Sequence, residues 1–213
     1  MGAIPTSDMP GHKRLHERAI LALDRCMEAR DIDFKESCQW DTLQWRIIKT
    51  SMGMANLRDG GIIIIGASER ESTWDLTGIS VDHLKTYDVD KIVELANAYA
   101  SPHVNLDIVT VAFKAGGVFL AIQIAEFSDT PVVCKKNGPD RFRGTPDELS
   151  QGAVYLRPHG MARTTKVTDA TQMHDLLELA AEKRARRILE TSRKVGFMPP
   201  SGPDAFDLEL GGL

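Results

Sequence analysis

Cysteine is scarce in this chain, and long apolar runs are absent. The 213 residues hold three cysteines, Cys26, Cys38 and Cys134. Odd in number and widely spaced, they offer neither a disulfide framework nor a Cys-x-x-Cys zinc site, so reduced, buried thiols are expected. The longest apolar run, Gly60 to Ala67, is far shorter than the roughly 20 residues a membrane-crossing helix needs. The N-terminus also lacks the charged-then-apolar order of a secretory signal, so a cytoplasmic protein without membrane contact is expected. No Gly-x-x-x-x-Gly-Lys-Ser/Thr occurs, which removes the phosphate cradle and lysine of a P-loop NTPase. The histidines show no metal-ligand spacing beyond His12 and His16 at i, i+4, and these have no evident third ligand. What is present is the balance of one globular domain: 42% hydrophobic and 26% charged residues, with a net charge of -4.

The chain order of periodicities predicts an α+β or mixed α/β domain around one sheet, with a long C-terminal helix. Residues 1–11 read as a flexible tail, 12–194 as the domain, and 195–213 as a disordered tail. Leu15, Ala19, Ile20, Leu23 and Met27 recur at helical spacing, and Ile32 to Glu36 is a short strand. Asp41 and Gln44 have the form of a capping box, ahead of a helix with Trp45, Ile48, Met52 and Ala55 on one face. Gly60-Gly61 stops it at a tight turn. The β-branched run Ile62 to Ile65 reads as a strand buried on both faces. Two short helices fit between Val81 and Ala100. Val104 to Phe113 and Val118 to Ala125 then alternate around Ala115-Gly116-Gly117, a hairpin signal. Val132 to Lys135 and Ala153 to Arg157 are further short strands. Thr168 and Asp169 start the last helix, with Met173, Leu176, Leu177, Ala180 and Ile188 turned inward.

Charge is unevenly distributed. Lys135 to Lys166 carries seven bases against three acids, and Glu182 to Lys194 six against two, so each segment is +4 in a chain of -4. A local basic field holds phosphates whatever the sum. The expected nucleic-acid contacts are Lys135, Lys136, Arg141, Arg143, Tyr155, Arg157, Arg163 and Lys166. Tyr155 among cations suits a stacked base, and a core tyrosine is the alternative; Arg157 or Arg163 pairing with acids elsewhere is the alternative for those two. On the strand Ile32 to Glu36, side-chain alternation sets Asp33 and Lys35 side by side. Glu28 lies just upstream and Glu69 follows the buried strand. Three convergent carboxylates are what Mg²⁺ or Mn²⁺ needs, and Lys35 would add phosphate stabilisation. Ordinary solvated acids are the alternative.

Three motifs in order carry a resemblance: Asp33-Phe34-Lys35-Glu36-Ser37; Ala55-Asn56-Leu57-Arg58-Asp59-Gly60-Gly61; and Ile62-Ile63-Ile64-Ile65-Gly66-Ala67-Ser68-Glu69. With Tyr155, Arg157 and Arg163 behind them, they resemble the Schlafen AlbA-like domain over roughly Met27 to Leu179. The resemblance implies an α+β fold, with a mixed, largely antiparallel sheet flanked by helices, and nucleic-acid binding, RNA favoured and DNA possible. In catalytic Schlafens three carboxylates cleave tRNA or rRNA, and the matching positions here are Glu28, Asp33 and Glu69. It thus implies a Mg²⁺- or Mn²⁺-dependent endoribonuclease, with Lys35 assisting and a homodimer supplying the second lobe. The alternative is a non-catalytic DNA- or RNA-binding module, a regulator or one part of a defence complex. Asp33 stands where Glu is usual, and Met54 where an aromatic residue is usual.

Overall fold

The computed structural model describes residues 4–5, 12–71, 73–114 and 116–197. Its elements are α1 (Lys13–Arg25), β1 (Ile32–Lys35), α2 (Trp40–Ala55), β2 (Gly61–Ile65), β3 (Ser68–Arg70) and β4 (Thr73–Asp75). There follow α3 (Val81–Leu84), α4 (Val89–Tyr99), β5 (Ala100–Ser101), β6 (Leu106–Phe113), β7 (Gly117–Ile124) and β8 (Val133–Cys134). A single 3-10 turn at Asp140–Phe142 precedes β9 (Tyr155–Leu156), β10 (Thr165–Lys166) and the long α5 (Ala170–Lys194). The fold is α+β, as the resemblance implies, and is one of the two classes the periodicities allow.

The main sheet has the order β1-β2-β7-β6. β1 and β2 run parallel, and the other pairs are antiparallel. Every residue of β2 is buried, because alternate isoleucines feed two cores. Ile62 and Ile64 pack with Leu15, Leu23 and Phe34 under α1, whereas Ile63 and Ile65 pack with Ile47, Ile48 and Met52 under α2. The turn into β2 depends on Gly60 at φ +65°, where a Cβ would stand 2.0 Å from the Ile124 carbonyl oxygen; only glycine fits. Asn56, the C-cap of α2, locks this corner. Its amide donates to the Val132 and Tyr155 carbonyls and accepts from the Val132 N–H.

Some expectations need correction. Asp41 and Gln44 do not form a capping box: α2 begins at Trp40 with no side-chain cap, and Gln44 bonds back to Asp41 itself. On α5, Leu176 and Leu179 are buried, but Leu177 is 55% and Ile188 58% exposed. The helix outruns the body it packs on, so only its first turns have a core to face. The predicted N-terminal tail falls mostly outside the described residues, though the Pro5 carbonyl accepts a hydrogen bond from Thr110 on the edge strand β6. The predicted C-terminal tail lies outside them beyond Phe197. Among the described residues no helix is long and apolar enough to cross a membrane, and all three cysteines are free thiols.

Candidate nucleic-acid interface and the carboxylate strand

β1 is an edge strand, and parallel pairing with β2 leaves its Ile32 and Phe34 backbone groups facing away from the sheet. An unpaired edge invites association with other strands. Here the Ala29 backbone pairs with both Ile32 groups, and side chains cover the rest. Glu28 accepts the Phe34 N–H at 3.1 Å, Lys35 donates to the Phe34 carbonyl, and Arg157 donates to the Ile32 carbonyl at 3.2 Å.

Arg157 is the centre of this arrangement and has no solvent exposure. Its guanidinium donates to the carbonyls of Ala29, Arg30 and Ile32 and to Asp33 Oδ1 at 3.0 Å. Arg30 reciprocates, its Nε donating to the Arg157 carbonyl at 2.6 Å. The expectation that Arg157 contacts phosphate is therefore corrected: it is fully buried, and its four hydrogen bonds all end inside the protein. Tyr155 is likewise enclosed, its hydroxyl donating to the Glu148 carbonyl and accepting from the Ser150 N–H. It is the core tyrosine of the alternative reading. Burial pushes its phenol up to about 12.

Asp33 is 3% exposed. One oxygen binds Arg157, and the other has Lys35 Nζ at 2.6 Å but no hydrogen bond along its lone pairs. Glu28, half-buried, has its carboxyl pushed above the ordinary range, first by burial and then by the nearby Asp33 charge. Glu28, Asp33 and Lys35 thus come together. Glu69 does not join them by any hydrogen bond or ion pair among the described residues. It is exposed on the β3–β4 hairpin opposite Trp74, whose ring packs on Phe34 at 4.8 Å. That is the α1 side of β1, away from Asp33. Among the described residues no three His, Cys, Asp or Glu side chains are grouped to hold a metal ion. An aspartate already neutralised by two cations and a glutamate committed to a backbone N–H do not fit Mg²⁺ or Mn²⁺ as they stand.

The remaining bases gather on the α2 side. Lys136 lies over the Tyr99 ring at 4.4 Å and Arg141 over Phe142 at 4.8 Å; Trp45 contacts both rings. Lys135 is exposed and donates to the Asn97 carbonyl. Lys166 stands 3.8 Å from Glu148, and the exposed Arg143 also faces Glu148. That carboxyl is held below its usual range, chiefly by the Gly144 N–H. Arg163 and Lys166 line an open cavity of about 540 Å³ together with Lys49. Arg46 flanks this surface, bound to Asp147 at 2.8 Å. Lys49 and Arg46 escape the sequence reading, although a signal exists. Lys49 falls on the helical stripe of Trp45, Ile48 and Met52, where an apolar residue is expected.

The fold and its surfaces define a small α+β domain with a side-chain-sealed strand edge and a basic α2-side surface. Residues 28–164 match the family model described as Schlafen, AlbA_2, and the chain belongs to that family. Several solved structures are similar. The crystal structure of the DIP2311 protein from Corynebacterium diphtheriae is 13% identical with a TM-score of 0.45, the match covering 74% of this chain and 27% of that one. This chain therefore spans about a quarter of that protein. The solution structure of the N-terminal domain of a RecG-related protein from Nitrosomonas europaea is 16% identical with a TM-score of 0.43, covering 72% of this chain and 94% of that one. No curated protein matches the chain.

Proposed function

We propose that this Schlafen, AlbA_2 protein is a cytoplasmic nucleic-acid-binding module that holds phosphates on the α2-side surface. Lys135, Lys136, Arg141, Arg143, Arg163 and Lys166 are its contacts. Family membership supports a nucleic-acid-related role. The observation that carries the reading is the convergence of Lys49, Arg163 and Lys166 on one open cavity, since clustered bases on a concave wall strengthen the local positive field. RNA is the favoured ligand. The reading is of binding without cleavage, because Asp33 is buried between Arg157 and Lys35.

The finer alternative, a Mg²⁺- or Mn²⁺-dependent endoribonuclease of tRNA-like RNA, requires Glu28, Asp33 and Glu69 to converge and Asp33 to exchange its cations for a metal. Labelled tRNA incubated with metal or with EDTA separates the two, with wild type run beside Glu69→Gln. Binding alone gives intact tRNA and a salt-sensitive gel shift in both proteins; metal-dependent products lost in the variant would replace it by the nuclease. A homodimer, two lobes forming a clamp, is a further proposal taken from the resemblance, and a monomeric mass in light scattering would remove it.

A further inference from the structure

Lys49 is 8% exposed, and among the described residues its ammonium makes one hydrogen bond, to the Pro146 carbonyl at 2.6 Å. Its other close neighbour is the face of the Tyr155 ring, 5.1 Å away. An ammonium carries three donors, so this one is desolvated without being fully paired. It also shares its surroundings with a second cation: its pKa is lowered first by burial and next by the Lys166 charge, against the smaller opposing pull of Asp147 and Glu148. Lys166 has only the 3.8 Å pairing with Glu148, and two ammonium groups sharing one cavity favour an anion between them.

The cavity they line measures about 540 Å³ and adds the exposed Arg163. Its wall holds these three bases against one acid, Glu148. That carboxylate is already engaged by the Gly144 N–H, the Ser150 hydroxyl and Lys166. Thr165 and Thr168 add hydroxyls that carry no hydrogen bond among the described residues. A net +2 in a concave, threonine-bearing wall matches a phosphomonoester, which carries about -1.5 to -2 near neutral pH, better than a singly charged diester. Neither Glu28, Asp33 nor Glu69 lines this cavity, so it is separate from the carboxylate strand.

We propose that the groove between α2, the Thr145–Glu148 segment and β10 binds a phosphomonoester, with Lys49 as its floor and Arg163 and Lys166 as its walls. The ester is either the terminal phosphate of a nucleic-acid strand, which rests on the function proposed above, or that of a free nucleotide. A second cavity of about 710 Å³ shares Pro158, Met161 and Gln172 with the first; its lining sets Arg30 and Arg58 against Asp169 and Asp175, so the positive charge is concentrated in the first.

Fluorescence anisotropy tests this with one short single-stranded RNA made in three forms: 5′-phosphorylated, 3′-phosphorylated and without a terminal phosphate. A nucleoside monophosphate serves as competitor. One terminal phosphate should tighten binding roughly tenfold, as expected for charge-assisted hydrogen bonds. The gain should vanish in Arg163→Gln and Lys166→Gln, whose melting temperatures report that both variants still fold. Equal binding of all three RNAs, with a steep salt dependence, overturns the phosphomonoester groove and leaves the nucleic-acid reading standing. Failure of every RNA to bind, with the monophosphate bound by wild type and not by the variants, upholds the groove and overturns the nucleic-acid reading.

Discussion

Replacing Arg157 by methionine keeps much of the side-chain volume and removes the charge that links β9 to β1. The loss can be estimated from what is left behind. Asp33, 3% exposed, would keep Lys35 as its sole cation, and the carbonyls of Ala29, Arg30 and Ile32 would each lose a donor. Breaking a buried ion pair from one side costs about 3–5 kcal/mol. At about 2–4 °C per kcal/mol for a chain of this size, the melting temperature should fall by roughly 6–20 °C. Against a total stability of roughly 5–15 kcal/mol, that is a large share. Arg157→Lys should recover little, since one ammonium cannot span four acceptors in different directions. Asp33→Asn combined with Arg157→Met should cost less than the two single changes summed, because neither an unpaired Asp33 carboxylate nor an unpaired Arg157 guanidinium then stays buried. Urea unfolding of the four variants measures all of this, and RNA affinity of the folded fraction should be unchanged. A loss under about 1 kcal/mol for Arg157→Met, or weakened RNA binding with stability intact, would refute the assignment of Arg157 as an internal staple.

Glu28→Gln keeps an acceptor for the Phe34 N–H and removes the charge. The Glu28 carboxyl lies above its ordinary 4.5 in the folded protein, so the folded state takes up a proton where the unfolded state does not. Stability therefore declines as pH rises through that window and stays reduced above it. The variant should equal or exceed wild type at pH 7 and lose its advantage below 4.5; lower stability at pH 7 would show that Lys35 and Arg157 need the anion. Gly53→Ala should gain up to about 1 kcal/mol from helix propensity alone. A Cβ there would meet the Thr164 methyl at 2.7 Å, so the expected results are a lower melting temperature and weaker RNA binding, with a higher melting temperature speaking against that packing.

Local pattern made much of the fold legible. Ile62 to Ile65 between glycines could be little but a central strand, and Asp169 does cap α5 through the Gln172 N–H. The β3–β4 hairpin was not foreseen, because Ser68–Arg70 and Thr73–Asp75 are short, polar and half-exposed, without an alternating apolar face. The fate of Arg157 was illegible for a different reason. An arginine in a basic stretch reads as a phosphate contact unless its acceptors are known, and these lie 124 to 128 residues away in the chain. Strand alternation sets Asp33 and Lys35 side by side, and the structure adds Glu28 to them through the Phe34 N–H. The sequence could not reveal that the strand turns Asp33 toward α2 while the Glu69 hairpin packs on the opposite side. Lys49 does not stand out in the sequence because a helical lysine is ordinarily solvated; its position on the apolar stripe is the available sign.

The most direct measurement is RNA affinity as a function of salt, for wild type and for a variant carrying both Arg163→Gln and Lys166→Gln. A phosphate-holding surface gives a linear fall of log affinity with log salt, and removing two contacts should make the slope shallower by about 1.4 for a single strand. Identical affinity and slope in the two proteins, or no binding by wild type, would contradict nucleic-acid binding on the α2-side surface.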